Sequence, residues 1–188
     1  MTDDSPLSTL ELWTRDDERI QLGEVLRDRP TLLVAVRYYG CLPCQHYLVE
    51  VEQHRGALAD RGVQVVAVGV AADFQADHLA REHAIGFPLL LDPEQQLYQA
   101  LEIPRLRWPD LLRPSIWRIY VPLFLRRHVT RRVTGPRQGR PTGDPVQLPG
   151  LAIIDADGRI AYLHRGRRLG DYPPIEEVLD TVEKVLAT

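Results

Sequence analysis

The chain has two cysteines, Cys41 and Cys44, separated only by Leu42 and Pro43. A disulfide closing so short a loop constrains the unfolded chain little, so the pair reads as reactive rather than bracing. Cys41 stands where an apolar run hands over to a helical pattern. A thiol at a helix N-terminus faces unpaired N–H groups and the positive end of the helix dipole. Such settings hold cysteine pKa values at about 3.5–7.5 instead of about 8.5. Cys44 follows at i+3, on the same helix face. Cys41, nearer the helix start and expected to be the more exposed, is assigned as nucleophile. Cys44 is assigned to resolve a sulfenic acid or mixed disulfide formed on it. Pro43 fits the first helical turn, where its missing N–H costs little.

Other chemistries use the same spacing. A zinc site would need further ligands, and His46 is the nearest candidate, but no second cysteine pair exists. Haem attachment requires His directly after the second Cys, and that residue is Gln45. Two buried, inert thiols are the plainest alternative. The remaining histidines form no ligand motif, and His164 is read as solvated or near the site. Arg37 can supply the cation that favours a thiolate, or be solvated after its strand. Tyr38 and Tyr39 either wall the site or cover the edge of the core.

The elements that must position this pair follow from periodicity. Thr31–Val36 (TLLVAV) reads as a strand buried on both faces, with a loop at Arg37–Gly40. A helix is expected over Cys41–Arg61, with Leu48, Val51 and Leu58 inward and Gly62 closing it. Further strands are expected at Leu7–Trp13, Arg19–Leu22, Val63–Val70 and Phe87–Leu91. Helices are expected from Asp73 to near Gly86 and from Asp92-Pro93 to Leu101. Leu151–Ile154 and Arg159–Leu163 read as a hairpin through the Asp155–Gly158 turn. Pro173-Pro174 opens a last helix with Ile175, Val178, Leu179, Val182 and Leu186 on one apolar face. Alternating units of this kind build an α/β protein, a central sheet flanked by helices.

The segment Arg37-Tyr-Tyr-Gly-Cys41-Leu-Pro-Cys44 after a buried strand resembles peroxiredoxin-like proteins of the alkyl hydroperoxide reductase/thiol-specific antioxidant family, especially its C-x-x-C branch. The resemblance continues through Val63–Val70, Phe87–Pro93 and Leu148–Ile160. It implies a thioredoxin-like fold with a central mixed sheet. It implies an antioxidant oxidoreductase reducing peroxides or disulfides, without a cofactor or metal, re-reduced by an external thioredoxin-like or glutathione system. It places Pro149 where such folds carry a proline, cis in many of them, facing the redox pair; an ordinary trans proline at a strand start is the other reading. The chain also departs from the family. Counted from Cys41, the family's Pro and Thr/Ser places hold Val34 and Tyr38; counted from Cys44, they hold Arg37 and Cys41. The family's arginine near the start of the later strand is missing, with Leu148-Pro149 there instead.

With 188 residues, 44% hydrophobic and 26% charged, the chain is read as a single domain, 1–188, with an insertion at about 104–147. Ten arginines against Asp110 give residues 105–140 a net +9, in a molecule whose total is −3. Trp108, Leu112, Ile116, Trp117, Tyr120, Leu123 and Phe124 interleave with them. This arm packs on the acidic body or a second subunit in a homodimer, receives an acidic partner, or touches an anionic membrane surface. No recognised nucleic-acid motif accompanies it, so nucleic acid is not expected. The rival reading of the whole chain is a non-catalytic binding module acting through this arm. Neither a secretory leader nor a transmembrane run is visible, so a reducing cytoplasm is expected.

Overall fold

The computed structural model describes residues 6–70, 73–107 and 144–187. Seven strands lie in one mixed sheet: β1 (Glu11–Trp13), β2 (Arg19–Gln21), β3 (Thr31–Val36), β4 (Gln64–Gly69), β5 (Leu89–Leu91), β6 (Gly150–Ile154) and β7 (Ile160–Arg165). Their order is β2-β1-β5-β4-β3-β6-β7. The central β3 runs parallel to β4 and antiparallel to β6. Among the described residues six helices accompany the sheet: α1 (Leu22–Val25), α2 (Leu42–Gln53), α3 (Arg55–Asp60), α4 (Asp73–His83), α5 (Gln96–Ala100) and α6 (Ile175–Leu186).

The alternation of β3 divides the core in two. Leu32, Val34 and Val36 pack with Leu48, Leu79 and Val178, from α2, α4 and α6. Leu33 and Ala35 face the other way, towards Leu7, Leu22, Leu97 and Tyr98. Both cysteines belong to the first layer.

Several boundaries differ from the periodicity. The expected helix from Cys41 to Arg61 is two helices, broken at His54. The His54 ring Nδ1 lies 2.9 Å from the Glu50 carbonyl oxygen, the acceptor that a continuing helix would use. The His54 amide bonds the Val51 carbonyl instead. Gly62, at φ 74°, closes α3 as expected. The first strand is only Glu11–Trp13, and the short α1 follows β2 directly. Leu186 is 41% exposed and does not belong to the buried face of α6. The hairpin turn is held by Asp155, whose Oδ1 accepts the Asp157 and Arg159 amides at 3.0 and 2.8 Å.

Most of the Arg-rich arm, including Trp108 to Phe124, lies outside the described residues. Its two described ends meet: Arg105 bridges Gln147, the Leu106 amide donates to the Val146 carbonyl at 2.8 Å, and Arg105 pairs with Asp144.

Asp92 is fully buried at the end of β5, and its carboxylate accepts the Gln96 and Leu97 amides at 3.0 and 2.9 Å. Asp92→Ala strands both N–H groups and is expected to cost about 2 kcal/mol in urea unfolding, with Asp92→Asn milder. Equal stability of all three proteins would show that these bonds contribute nothing.

Candidate active site

Cys41 is the N-cap of α2, with extended backbone, and its carbonyl accepts the first helical bond from the Gln45 amide at 2.9 Å. Cys44 sits one turn on, facing the same layer. Both thiols are free, and both are fully buried. The expectation that Cys41 is the more exposed is therefore corrected: the loop and helix around it close over both sulfurs equally. That loop is pinned from two sides. The Gln45 side chain donates to the Tyr39 carbonyl, and the Gly40 amide donates to Gln75 Oε1 of α4 at 3.0 Å. Gly40 lets Gln75 approach closely, since a Cβ would stand 2.7 Å from the Gln75 amide nitrogen and displace that side chain.

Arg37 is not solvated. It is 3% exposed, and Nη1 donates to Cys41 Sγ at 3.4 Å. Nε donates to the Gln147 carbonyl at 2.9 Å, and Nη2 to the Pro145 carbonyl. A guanidinium in this place favours the thiolate of Cys41. Tyr38 is a wall of the site. Its ring lies 5.4 Å from the Arg37 guanidinium carbon, and burial followed by the Cys41 charge pushes its hydroxyl pKa up to about 12. Tyr39 belongs to the core, its hydroxyl donating to the Leu90 and Ala67 carbonyls at 2.7 and 3.0 Å.

Burial pushes the Cys44 thiol well above its ordinary pKa, and the Cys41 sulfur beside it pushes further. The pair is thus asymmetric: the guanidinium stands on Cys41, while burial holds the proton on Cys44. Tyr172, from the loop between β7 and α6, reaches Cys44 and stacks on Tyr47 at 4.2 Å and 5°. Pro43, His46, Tyr47, Glu50, Gly170 and Tyr172 line a cleft of about 250 Å³ beside the pair.

No peptide bond among the described residues is cis, so Pro149 is trans. Its carbonyl accepts the Gly166 amide at 2.9 Å, a strand-start role. The segment just before it, Pro145 and Gln147, reaches the pair through Arg37. His164 lies on β7 opposite Leu151, with Nε2 2.9 Å from the Asp171 carbonyl oxygen, and lines a separate surface cleft with Arg165, Arg167 and Arg168. Among the described residues, no group of three or more His, Cys, Asp or Glu could hold a metal ion, and no helix is long and apolar enough to cross a membrane. Sequence reasoning missed Gln75, the 145–147 carbonyls and Tyr172. Backbone acceptors carry no side-chain signature, and nothing in Gly170-Asp-Tyr-Pro-Pro points to a thiol about 130 residues earlier in the chain.

The strand–loop–helix setting of the pair and the mixed sheet define a thioredoxin-fold oxidoreductase with thiol-dependent redox activity. The family of AhpC/TSA antioxidant enzymes matches residues 51–168, well over half of the chain, and the protein belongs to it. That match begins after the cysteine pair. Human peroxiredoxin-like 2C is 25% identical over 88% of this chain and 74% of its own length. Prostamide/prostaglandin F synthase of Pongo abelii is 27% identical over 88% of this chain and 81% of its own. Among solved structures, peroxiredoxin Q of Xanthomonas campestris superposes with a TM-score of 0.67 at 9% identity, over 96% of this chain and 93% of that one. A secreted Mycobacterium tuberculosis disulfide oxidoreductase does so at 0.60 and 13%, over 96% and 98%. These two likenesses concern the fold. The protein is an oxidoreductase, and the reading of the whole chain as a non-catalytic module is set aside.

Removing the guanidinium should leave Cys41 a slower nucleophile. Arg37→Met is expected to slow alkylation of Cys41 by iodoacetamide at pH 7 by about tenfold, with the rate recovering at high pH, where the thiolate forms unaided. An unchanged rate at pH 7 would remove Arg37 from the site.

Proposed function

We propose that the protein reduces peroxides through a Cys41/Cys44 redox pair. The observation that carries this reading is the buried Arg37 guanidinium on Cys41 Sγ. The arginine that the family carries near the later strand is absent here, and Arg37 offers equivalent charge from the loop before the cysteine. Cys41 thiolate attacks the peroxide; the O–O bond breaks, the alcohol leaves with a proton, and a sulfenic acid remains on Cys41. Cys44 then attacks that sulfur, the S–O bond breaks, water leaves, and a disulfide closes. An external dithiol of the thioredoxin or glutathione class returns two electrons.

The asymmetry of the two thiols supports this order. While Cys41 is charged, its neighbour keeps its proton; once Cys41 becomes a neutral sulfenic acid, that repulsion is gone. Full burial supports a small substrate, since a hydroperoxide asks for less opening than a protein disulfide. Disulfide exchange is the second reading, supported by the C-x-x-C itself and by the Val34 and Tyr38 departures. A reducing cytoplasm belongs to both readings, since the resting pair must be dithiol. A homodimer, an acidic partner and contact with a membrane surface remain proposals for the arm.

Hydrogen peroxide and a thioredoxin-class reductant should give turnover with the wild type and none with Cys41→Ser. Cys44→Ser should consume about one equivalent of peroxide and stop as a trapped sulfenic acid. Turnover by Cys41→Ser would overturn the assignment. Peroxide left unconsumed by the wild type, with rapid reduction of an aromatic disulfide, would select the second reading.

A further inference from the structure

We propose that Tyr172 is a further catalytic residue, whose phenol donates a hydrogen bond to the Cys44 sulfur as that thiol gives up its proton and attacks oxidised Cys41. The inference rests on the reading of Cys44 as the resolving thiol.

Cys44 must become a nucleophile in a place hostile to charge. It has no exposed surface, and it lies among Val34, Leu48 and Ile175 in the apolar layer. A thiolate there needs donors. Arg37 hydrogen-bonds Cys41 and two carbonyls and acts on Cys44 through its charge; Tyr172 comes to Cys44 from the loop before α6 and adds a donor.

The phenol is held for this role. Its ring is clamped in parallel on Tyr47, and its amide donates to the Gly170 carbonyl at 3.0 Å. Gly170 packs on Pro43 so closely that a Cβ would stand 2.8 Å from Pro43 Cβ, which fixes the loop to the C-x-x-C turn. The buried Tyr172 hydroxyl has no hydrogen-bond partner among the described residues, and its ring packs on the layer that holds Cys44, with which the phenol interacts electrostatically. A thiol is a weak acceptor and a thiolate a strong one. The orphaned phenol therefore gains its partner only when Cys44 ionises. Burial and the cysteine sulfurs raise the phenol's own pKa well above 10, so it remains a donor throughout.

The step balances without a further reactant. Cys44 S–H loses its proton, its sulfur bonds to Cys41 sulfur, the S–O bond of the sulfenic acid breaks, and hydroxide leaves with the proton as water. Tyr172 keeps its own proton. Phenylalanine fills the same space and preserves the stack, so the hydroxyl is separable from the packing.

The test is a single-turnover comparison of the wild type with Tyr172→Phe, using one equivalent of hydrogen peroxide. Peroxide loss reads the first step. Trapping with a dimedone-type probe, and mass spectrometry of the disulfide, read the second. Tyr172→Phe is expected to match the wild type in the first step within about twofold and to lengthen the sulfenic acid's lifetime by about tenfold or more. Tyr47→Phe, which removes the neighbouring phenol, is expected to resolve at the wild-type rate. The same comparison on the mixed disulfide that Cys41 forms with an aromatic disulfide reads Cys44 attack through the released thiolate, whether or not peroxide is the substrate. Wild-type resolution in Tyr172→Phe overturns the proposal, and so does equal slowing of both steps, which would trace the effect to packing. If neither reagent modifies Cys41 in the wild type, the redox pair itself fails and the role of Tyr172 falls with it. That outcome is recognised by identical behaviour of the wild type and Cys41→Ser.

Discussion

The site depends on one buried charge. A guanidinium that is 3% exposed has lost its water, and the loss is tolerable only where acceptors replace it. The Arg37 acceptors are Cys41 Sγ and the carbonyls of Gln147 and Pro145. The sheet brings them together. Antiparallel pairing sets Ala35 of β3 opposite Gly150 of β6, so the residues leaving β3 and those entering β6 emerge side by side at one end of the sheet. Arg37 lies two residues beyond the first, and Gln147 three before the second. The register of the central strands thus delivers the two carbonyl acceptors, and the Cys41 sulfur stands with them on the guanidinium.

The same end of the sheet sets the chemical difference between two identical side chains. Cys41, at the N-cap, receives the helix terminus and Arg37. Cys44, one turn deeper, receives apolar neighbours, a tyrosine and the field of Cys41. Its proton is held by burial first and by that field second. Of these, the field is the one that the proposed oxidation of Cys41 would change. On the proposed cycle, the order of events follows from electrostatics that reset with each turnover.

Much of this was legible from residue patterns. TLLVAV could hardly be other than a central strand, and a C-x-x-C directly after it had to sit on a helix start. The hairpin was announced by Asp-Ala-Asp-Gly, and α6 by its apolar stripe. The misses have physical causes. His54 ends α2 because its ring competes for a carbonyl, which no periodicity reports. Arg37 was open to two readings, a cation for the thiol or a solvated side chain, and its burial is produced by carbonyls 108 and 110 residues further on. Pro149 drew attention as a proline, while the contact belonged to the backbone before it. Tyr172 carried no local signal at all, since what makes it matter is the loop fold that lays Gly170 on Pro43.

Complete burial of both sulfurs is the constraint that function must work against. If the pair acts as proposed, neither thiol meets a substrate in the closed arrangement, and turnover would scale with the fraction of molecules that have opened. What closes over the C-x-x-C turn includes Tyr38 from the preceding loop and the Gly170–Tyr172 segment. That segment is held by the packing of Gly170 on Pro43 and by polar contacts. Asp171 accepts the Arg167 amide at 2.8 Å and stands against His164, while Tyr172 adds its stack. Polar loop contacts exchange with water at small net cost, whereas the apolar layer beneath does not. Opening should therefore begin at the loop and stop at the layer, uncovering sulfur without exposing core. Such an aperture suits a substrate of a few atoms. A protein disulfide would need the same loop displaced much further, and the Tyr47–Tyr172 stack lost with it.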